Sequence, residues 1–154
     1  MRIGRNASPK VFDKENYKFE IGKANTLIDN GDDAVIFTTG AAVFRALEAE
    51  KLLKADGYNV KVIEMPTIKP LDEEAVLKAA KATGLVFTTE DHNIIGGLGS
   101  AVSEVLSEKL PTKIERIGVR DIFTESADHE ELLDKYCLLP RDIADRVEEG
   151  IRNK

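Results

Sequence analysis

Alternating strand and helix signals predict a three-layer α/β/α domain around a mostly parallel sheet. Three observations carry this expectation. Short, mainly apolar runs recur at Ala34-Val35-Ile36-Phe37, Val60-Lys61-Val62-Ile63-Glu64-Met65 and Leu85-Val86-Phe87-Thr88-Thr89, as strands covered on both faces require. Stretches with helical apolar spacing separate them. No internal repeat and no linker rich in Gly, Ser or Pro divides the 154 residues, so the chain reads as one domain.

Residues 1–16 form an irregular lead-in with a Ser8-Pro9 step and no sustained period. Tyr17-Lys18-Phe19-Glu20-Ile21 alternates apolar and polar, which predicts a half-exposed first strand. That strand can run against the others, because no crossover helix separates it from the next. The turn Asn30-Gly31-Asp32-Asp33 precedes the strand at residues 34–37. A helix over residues 41–54 follows, with Ala42, Ala46, Ala49 and Leu53 on one stripe and Asp56-Gly57 as its stop. The strand that begins at Val60 closes at Pro66. Asp72-Glu73-Glu74 suits the positive end of a helix dipole; Ala75, Val76, Ala79 and Ala80 give that helix its buried face, and Gly84 ends it. After the strand at residues 85–89, Leu98, Ala101, Val102, Val105 and Leu106 keep helical spacing. Lys113-Ile114-Glu115-Arg116-Ile117-Gly118-Val119 alternates as a last strand. Helices are expected at 130–136 and 141–152, the latter with Ile143, Val147 and Ile151 in register.

The composition, 42% hydrophobic and 32% charged, excludes disordered and collagen-like classes. With 28 acidic against 22 basic residues, a net charge of −6 and no basic run, the chain is not expected to bind nucleic acid. A single cysteine, Cys137, permits no intrachain disulfide, and its place between Tyr136 and Leu138 reads as a small buried hydrophobe. No apolar stretch approaches the roughly 20 residues that cross a bilayer, and the first residues lack the pattern of a secretory signal. A soluble, cytoplasmic protein with no membrane partner is expected.

Residues 88–102 are the most informative part of the chain. They lead from a strand through Glu90-Asp91-His92-Asn93-Ile94-Ile95-Gly96-Gly97-Leu98-Gly99-Ser100 into a helix. Open α/β sheets bring backbone close to a ligand or a neighbouring subunit at such a place. Free N–H groups and the helix dipole could cradle a phosphate there. The dinucleotide fingerprint G-x-G-x-x-G fails, however, because Val102 stands at the third glycine, and no Gly-Lys-Ser/Thr follows for a P-loop. A tight turn or an interface is the favoured reading for Glu90, His92, Asn93, Gly96, Gly97 and Gly99. Asp91 beside His92 could orient an imidazole for acid–base work. Adjacent residues of an extended segment point to opposite sides, so a turn or interface hydrogen bond suits His92 better.

Other candidates are weaker. Thr39-Gly40-Ala41 with Glu64 outlines a nucleotide-binding βαβ unit, but it supplies one glycine where two or three are needed. Glu64 is expected at a strand end, in solvent or at an interface, and His129 at a solvated helix start. Two histidines and one cysteine, far apart, give no metal-ligand spacing. No G-x-S-x-G elbow is present. Arg5 reads by composition as a solvated tail residue, although a guanidinium suits bidentate phosphate recognition. No complete active site is visible, and no catalytic residue is assigned.

Three stretches resemble the C-terminal domain of transketolases, thiamine-diphosphate enzymes that move two-carbon ketol units, and particularly the split form encoded as two subunits. They are Phe19-Glu20-Ile21-Gly22-Lys23-Ala24 with Asp33-Ala34-Val35-Ile36-Phe37-Thr38-Thr39-Gly40; Glu90-Asp91-His92-Asn93 with Gly96-Gly97-Leu98-Gly99-Ser100; and Ile117-Gly118-Val119-Arg120-Asp121-Ile122-Phe123 with Leu132-Leu133-Asp134-Lys135-Tyr136. The resemblance implies a five-stranded, mostly parallel mixed sheet over residues 17–154, after a lead-in (residues 1–16) that ends a preceding pyrimidine-binding domain. Arg5 matches the family's arginine that holds a sugar phosphate, in wording that departs from the usual Arg-Gln-Asn or Arg-Gln-Gly.

The resemblance further implies that thiamine diphosphate and magnesium bind between two other domains, which bring the G-D-G pattern and the activating glutamate. Neither element occurs here, so this chain is expected to be a non-catalytic part, inactive alone and without a cofactor or metal of its own. It would assemble with the thiamine-binding domains or subunit of the same enzyme, as a homodimer of the pentose phosphate pathway. Met1 standing directly before Arg2-Ile3-Gly4-Arg5-Asn6-Ala7-Ser8-Pro9 leads to the expectation of an excised piece. The same domain occurs in 1-deoxyxylulose-5-phosphate synthase and in 2-oxo-acid dehydrogenase beta subunits, which are alternatives. A stand-alone nucleotide-binding α/β domain is the alternative of another class.

Overall fold

A computed structural model of the chain describes residues 9–13, 15 and 17–154. The elements are β1 (Asn25–Asp29), β2 (Ala34–Thr38), α1 (Ala42–Ala55), β3 (Val60–Glu64), α2 (Glu73–Thr83), β4 (Leu85–Asn93), α3 (Leu98–Lys109), β5 (Lys113–Val119), α4 (His129–Lys135) and α5 (Pro140–Arg152). The strands form one sheet in the order β1-β3-β2-β4-β5. β1 is antiparallel to β3, and the other neighbours are parallel. This is the five-stranded mixed sheet and three-layer fold expected.

Side chains alternate across the pleat, so each buried strand feeds two cores. Ala34 and Ile36 of β2 pack with Ala46, Leu53, Leu133, Ile143 and Val147 from α1, α4 and α5. Val35 and Phe37 pack with Val76, Ala80, Leu98 and Val102 from α2 and α3. Every residue of β2 is buried, as a central parallel strand requires.

Local chemistry sets the helix ends. The Asp72 carboxylate accepts the Ala75 N–H at 3.1 Å and the Ala24 N–H at 3.0 Å, which caps α2 and ties down the entry to β1. Gly84 closes α2 at φ +63°, a conformation that costs glycine nothing. Pro140 opens α5, where Asp142 accepts the Leu139 N–H at 2.9 Å.

Gly150 of α5 lies on the fully buried ring of Phe87, and a Cβ there would meet its Cζ at 2.5 Å. Gly150→Ala should therefore cost about 1–3 kcal/mol by overpacking, read as a lower urea midpoint. An unchanged midpoint would mean that the ring has room to move.

Four expectations are corrected. Residues 17–21 are not a strand: Phe19 and Ile21 are 58% and 68% exposed, and the edge strand is β1. Its signal was obscured by an irregular register between Thr26 and Ile28, which breaks the period of two. β4 runs on to Asn93, so residues 90–93 are strand rather than turn. Cys137 is exposed, at φ +54° just beyond α4, where its N–H bonds the Asp134 carbonyl at 3.1 Å. Glu64 is buried inside the domain, not in solvent.

Candidate functional site

β2 and β4 are neighbours, yet the helices that follow them leave to opposite faces, α1 to one core and α3 to the other. Doubly wound sheets place ligands outside such a switch point. The glycine turn lies there, between Asn93 and Leu98.

Glu90 organises it. The side chain is 1% exposed, and its two carboxylate oxygens each accept one α3 N–H, from Leu98 and from Gly99, both at 2.8 Å. Those are the donors that a phosphate would need, and the positive end of the α3 dipole faces the same charge. The turn thus carries its own anion. Gly97 exists for this carboxylate: a Cβ would sit 2.7 Å from the Glu90 carboxyl carbon. A Cβ on Gly99 would meet Thr88 Oγ1 and the Arg116 stem at 2.8 Å. Gly96, at φ +78° with open space around it, serves the backbone turn instead.

The loop is cross-braced. Asn93 Oδ1 accepts the Ile95 N–H at 2.8 Å, an Asx turn, while its amide donates to Asp121 at 2.9 Å. Ser100 Oγ accepts the Gly96 N–H at 2.9 Å and donates to the Ile94 carbonyl at 3.1 Å, which Arg116 also bonds at 3.0 Å. His92 is exposed, with Nδ1 2.9 Å from the Asn93 carbonyl.

On the α1 face of the same edge, buried Arg45 pairs with Asp91. The Arg45 Nε and the hydroxyls of Thr38, Thr88 and Thr89 are buried and find no hydrogen-bond partner among the described residues. Asp91 pairs with Arg45, whereas His92 Nδ1 lies against the Asn93 carbonyl. Reading the sequence missed Arg45, although its charge interrupts the buried stripe of Ala42, Ala46 and Ala49. It also missed Arg116 and Asp121, which reach the turn only through the adjacency of β4 and β5.

Glu64, at the end of β3, accepts bonds from Tyr17 Oη at 3.1 Å and Asn25 Nδ2 at 3.0 Å. Burial raises its pKa, against the pull of these two bonds. Tyr17, stacked on Phe12 with centroids 4.1 Å apart, is pushed up to about 12, first by burial and then by the Glu64 charge. Both groups keep a proton longer folded than unfolded, so each contribution to stability is lost as pH rises. For Tyr17 the window runs from 10.0 to about 12. Subtracting the ultraviolet titration of Tyr17→Phe from that of the parent should leave a phenolate with a midpoint near 12; a midpoint at the ordinary tyrosine value would contradict the burial of this hydroxyl.

Arg5 lies outside the described residues. Among the described residues no three His, Cys, Asp or Glu side chains form a group that could hold a metal ion. No helix among them is long and apolar enough to cross a membrane. A diphosphate with its cation therefore does not fit the turn, whose N–H pair already holds Glu90.

Fold and site define an α/β/α domain with an antiparallel edge strand and a βα turn capped from within by a carboxylate. The chain belongs to the transketolase C-terminal domain family, whose description, "Transketolase, C-terminal domain", matches residues 22–143. It is 42% identical to a 6-deoxy-6-sulfo-D-fructose transketolase subunit of Clostridium sp. (strain MSTE9), over 100% of this chain and 47% of that one. It is 38% identical to a 1-deoxy-D-xylulose-5-phosphate synthase of Caldanaerobacter subterraneus subsp. tengcongensis, over 84% of this chain and 21% of that one. A solved structure, "Split gene transketolase, inactive beta4 tetramer", superposes with a TM-score of 0.90 at 42% identity, covering 97% of this chain and 48% of that one. The chain spans about half the length of the transketolase relatives it matches, or less.

Proposed function

We propose that this chain is the C-terminal portion of a two-component transketolase that transfers two-carbon ketol groups between sugar phosphates. The observation that carries the reading is the match of the whole chain to about half of a transketolase subunit. Thiamine diphosphate and magnesium then belong to the adjoining thiamine-binding part, and this chain alone is inactive. Arg5 binds the substrate phosphate in the assembly. The segment from Glu90 to Ser100 shapes the surface toward the partner. The complete enzyme is a cytoplasmic homodimer serving pentose phosphate chemistry.

Mixing the chain with its thiamine-binding component should restore ketol transfer, measured with cofactor and magnesium present. A well-folded mixture that assembles but stays inactive would sink the reading. Calorimetry of the chain with thiamine diphosphate and magnesium should show no binding; a micromolar signal would overturn the division of labour. A second reading, 1-deoxy-D-xylulose-5-phosphate synthesis, is favoured by the similarity to that synthase. Assaying the same mixture for that product separates the two.

A further inference from the structure

Seven large apolar side chains are conspicuously exposed among the described residues: Phe19, Ile21, Leu52, Ile68, Ile95, Ile122 and Phe123. Six of the seven, all but Leu52, share one edge of the sheet. β3, β4 and β5 all end there, and antiparallel β1 begins there, with Asn25 opposite Glu64 and Asn93 opposite Val119. Ile68 follows β3, Ile95 follows β4, Ile122 and Phe123 follow β5, and Phe19 and Ile21 precede β1. Two bonds tie the loops together: Gly22 N–H to Thr67 Oγ1 at 2.8 Å, and Asn93 Nδ2 to Asp121 at 2.9 Å. Phe123, at 106% exposure, is wholly in water. Apolar groups gathered on one face in this way mark an interaction surface.

The lead-in says what covers it. Pro9, Val11 and Phe12 line a hollow with Gly40, Ala41 and Phe44, at the turn from β2 into α1 on this same edge. Tyr17 then reaches Glu64 at the end of β3. Whatever precedes this domain in its longer relatives is therefore delivered to the apolar edge, and about half of such a relative lies outside the matched part.

We propose that this edge, centred on Ile95, Ile122 and Phe123, docks an apolar face of the adjoining thiamine-binding domain; the inference rests on the function proposed above. The test uses the full chain and its separately produced thiamine-binding component, with affinity measured by analytical ultracentrifugation. All three side chains are exposed, so Ile95→Asp/Phe123→Asp should keep the parent's melting temperature while its dissociation constant rises roughly 30-fold or more, the loss of a hot-spot contact. Leu52→Asp, on α1 away from this edge, should stay within about twofold. Unchanged affinity in the folded double variant overturns the proposal. So does a parent chain that fails to bind, or a variant that alters only self-association, which would assign the face to a second copy. Ketol transfer is read in parallel: variant-sensitive binding without activity would sink the proposed function and leave the surface standing.

Discussion

Glu90→Ala is expected to destabilise the domain by about 3–5 kcal/mol. Two N–H groups at the start of α3 would lose their acceptors in a buried place, each at a cost of about 1–3 kcal/mol, and the dipole would lose its opposing charge. Glu90→Gln keeps the volume but replaces one acceptor by an amide donor facing a backbone N–H. It should fall in between, at about 1–3 kcal/mol. Urea denaturation reads both. Should Glu90→Ala cost less than about 1 kcal/mol, water must be replacing the carboxylate, and the closed character of the turn would be refuted.

The second large effect concerns Arg45 and Asp91, and it should be lopsided. The Arg45 side chain is 7% exposed, whereas that of Asp91 is 25% exposed. Asp91→Ala leaves a guanidinium buried without its counter-charge, a situation that typically costs about 3–5 kcal/mol. Arg45→Met puts an apolar side chain on an apolar stripe and leaves a carboxylate that already reaches water. Its cost should be no more than about 1–2 kcal/mol. Melting curves of the two variants decide the matter; equal losses would show that the pair, rather than the buried cation, sets the energetics.

Much of the fold was legible because its signals are local. β2 reads as an unbroken apolar run and is buried at every position. α2 carries its cap, buried stripe and terminal glycine in consecutive turns. β1 was misplaced because its irregular register defeats a strict alternation that Tyr17 to Ile21 happen to satisfy. The site was legible only in part. Gly96, Gly97 and Gly99 could be picked out, but the reason for Gly97 is a carboxylate seven residues earlier that the strand brings back onto the helix. Arg116 and Asp121 act on the turn across 22 and 28 residues of chain, through strand pairing that no local pattern announces.

The internal cap on α3 also bears on what this scaffold could become. A helix end that already holds its own counter-ion leaves no vacancy for a nucleotide. Acquiring one would first require the loss of Glu90, and with it a sizeable share of the stability on which any new activity would depend. Ligand-binding novelty in this lineage is therefore steered away from the switch point and toward the loops, where substitutions leave the buried carboxylate alone.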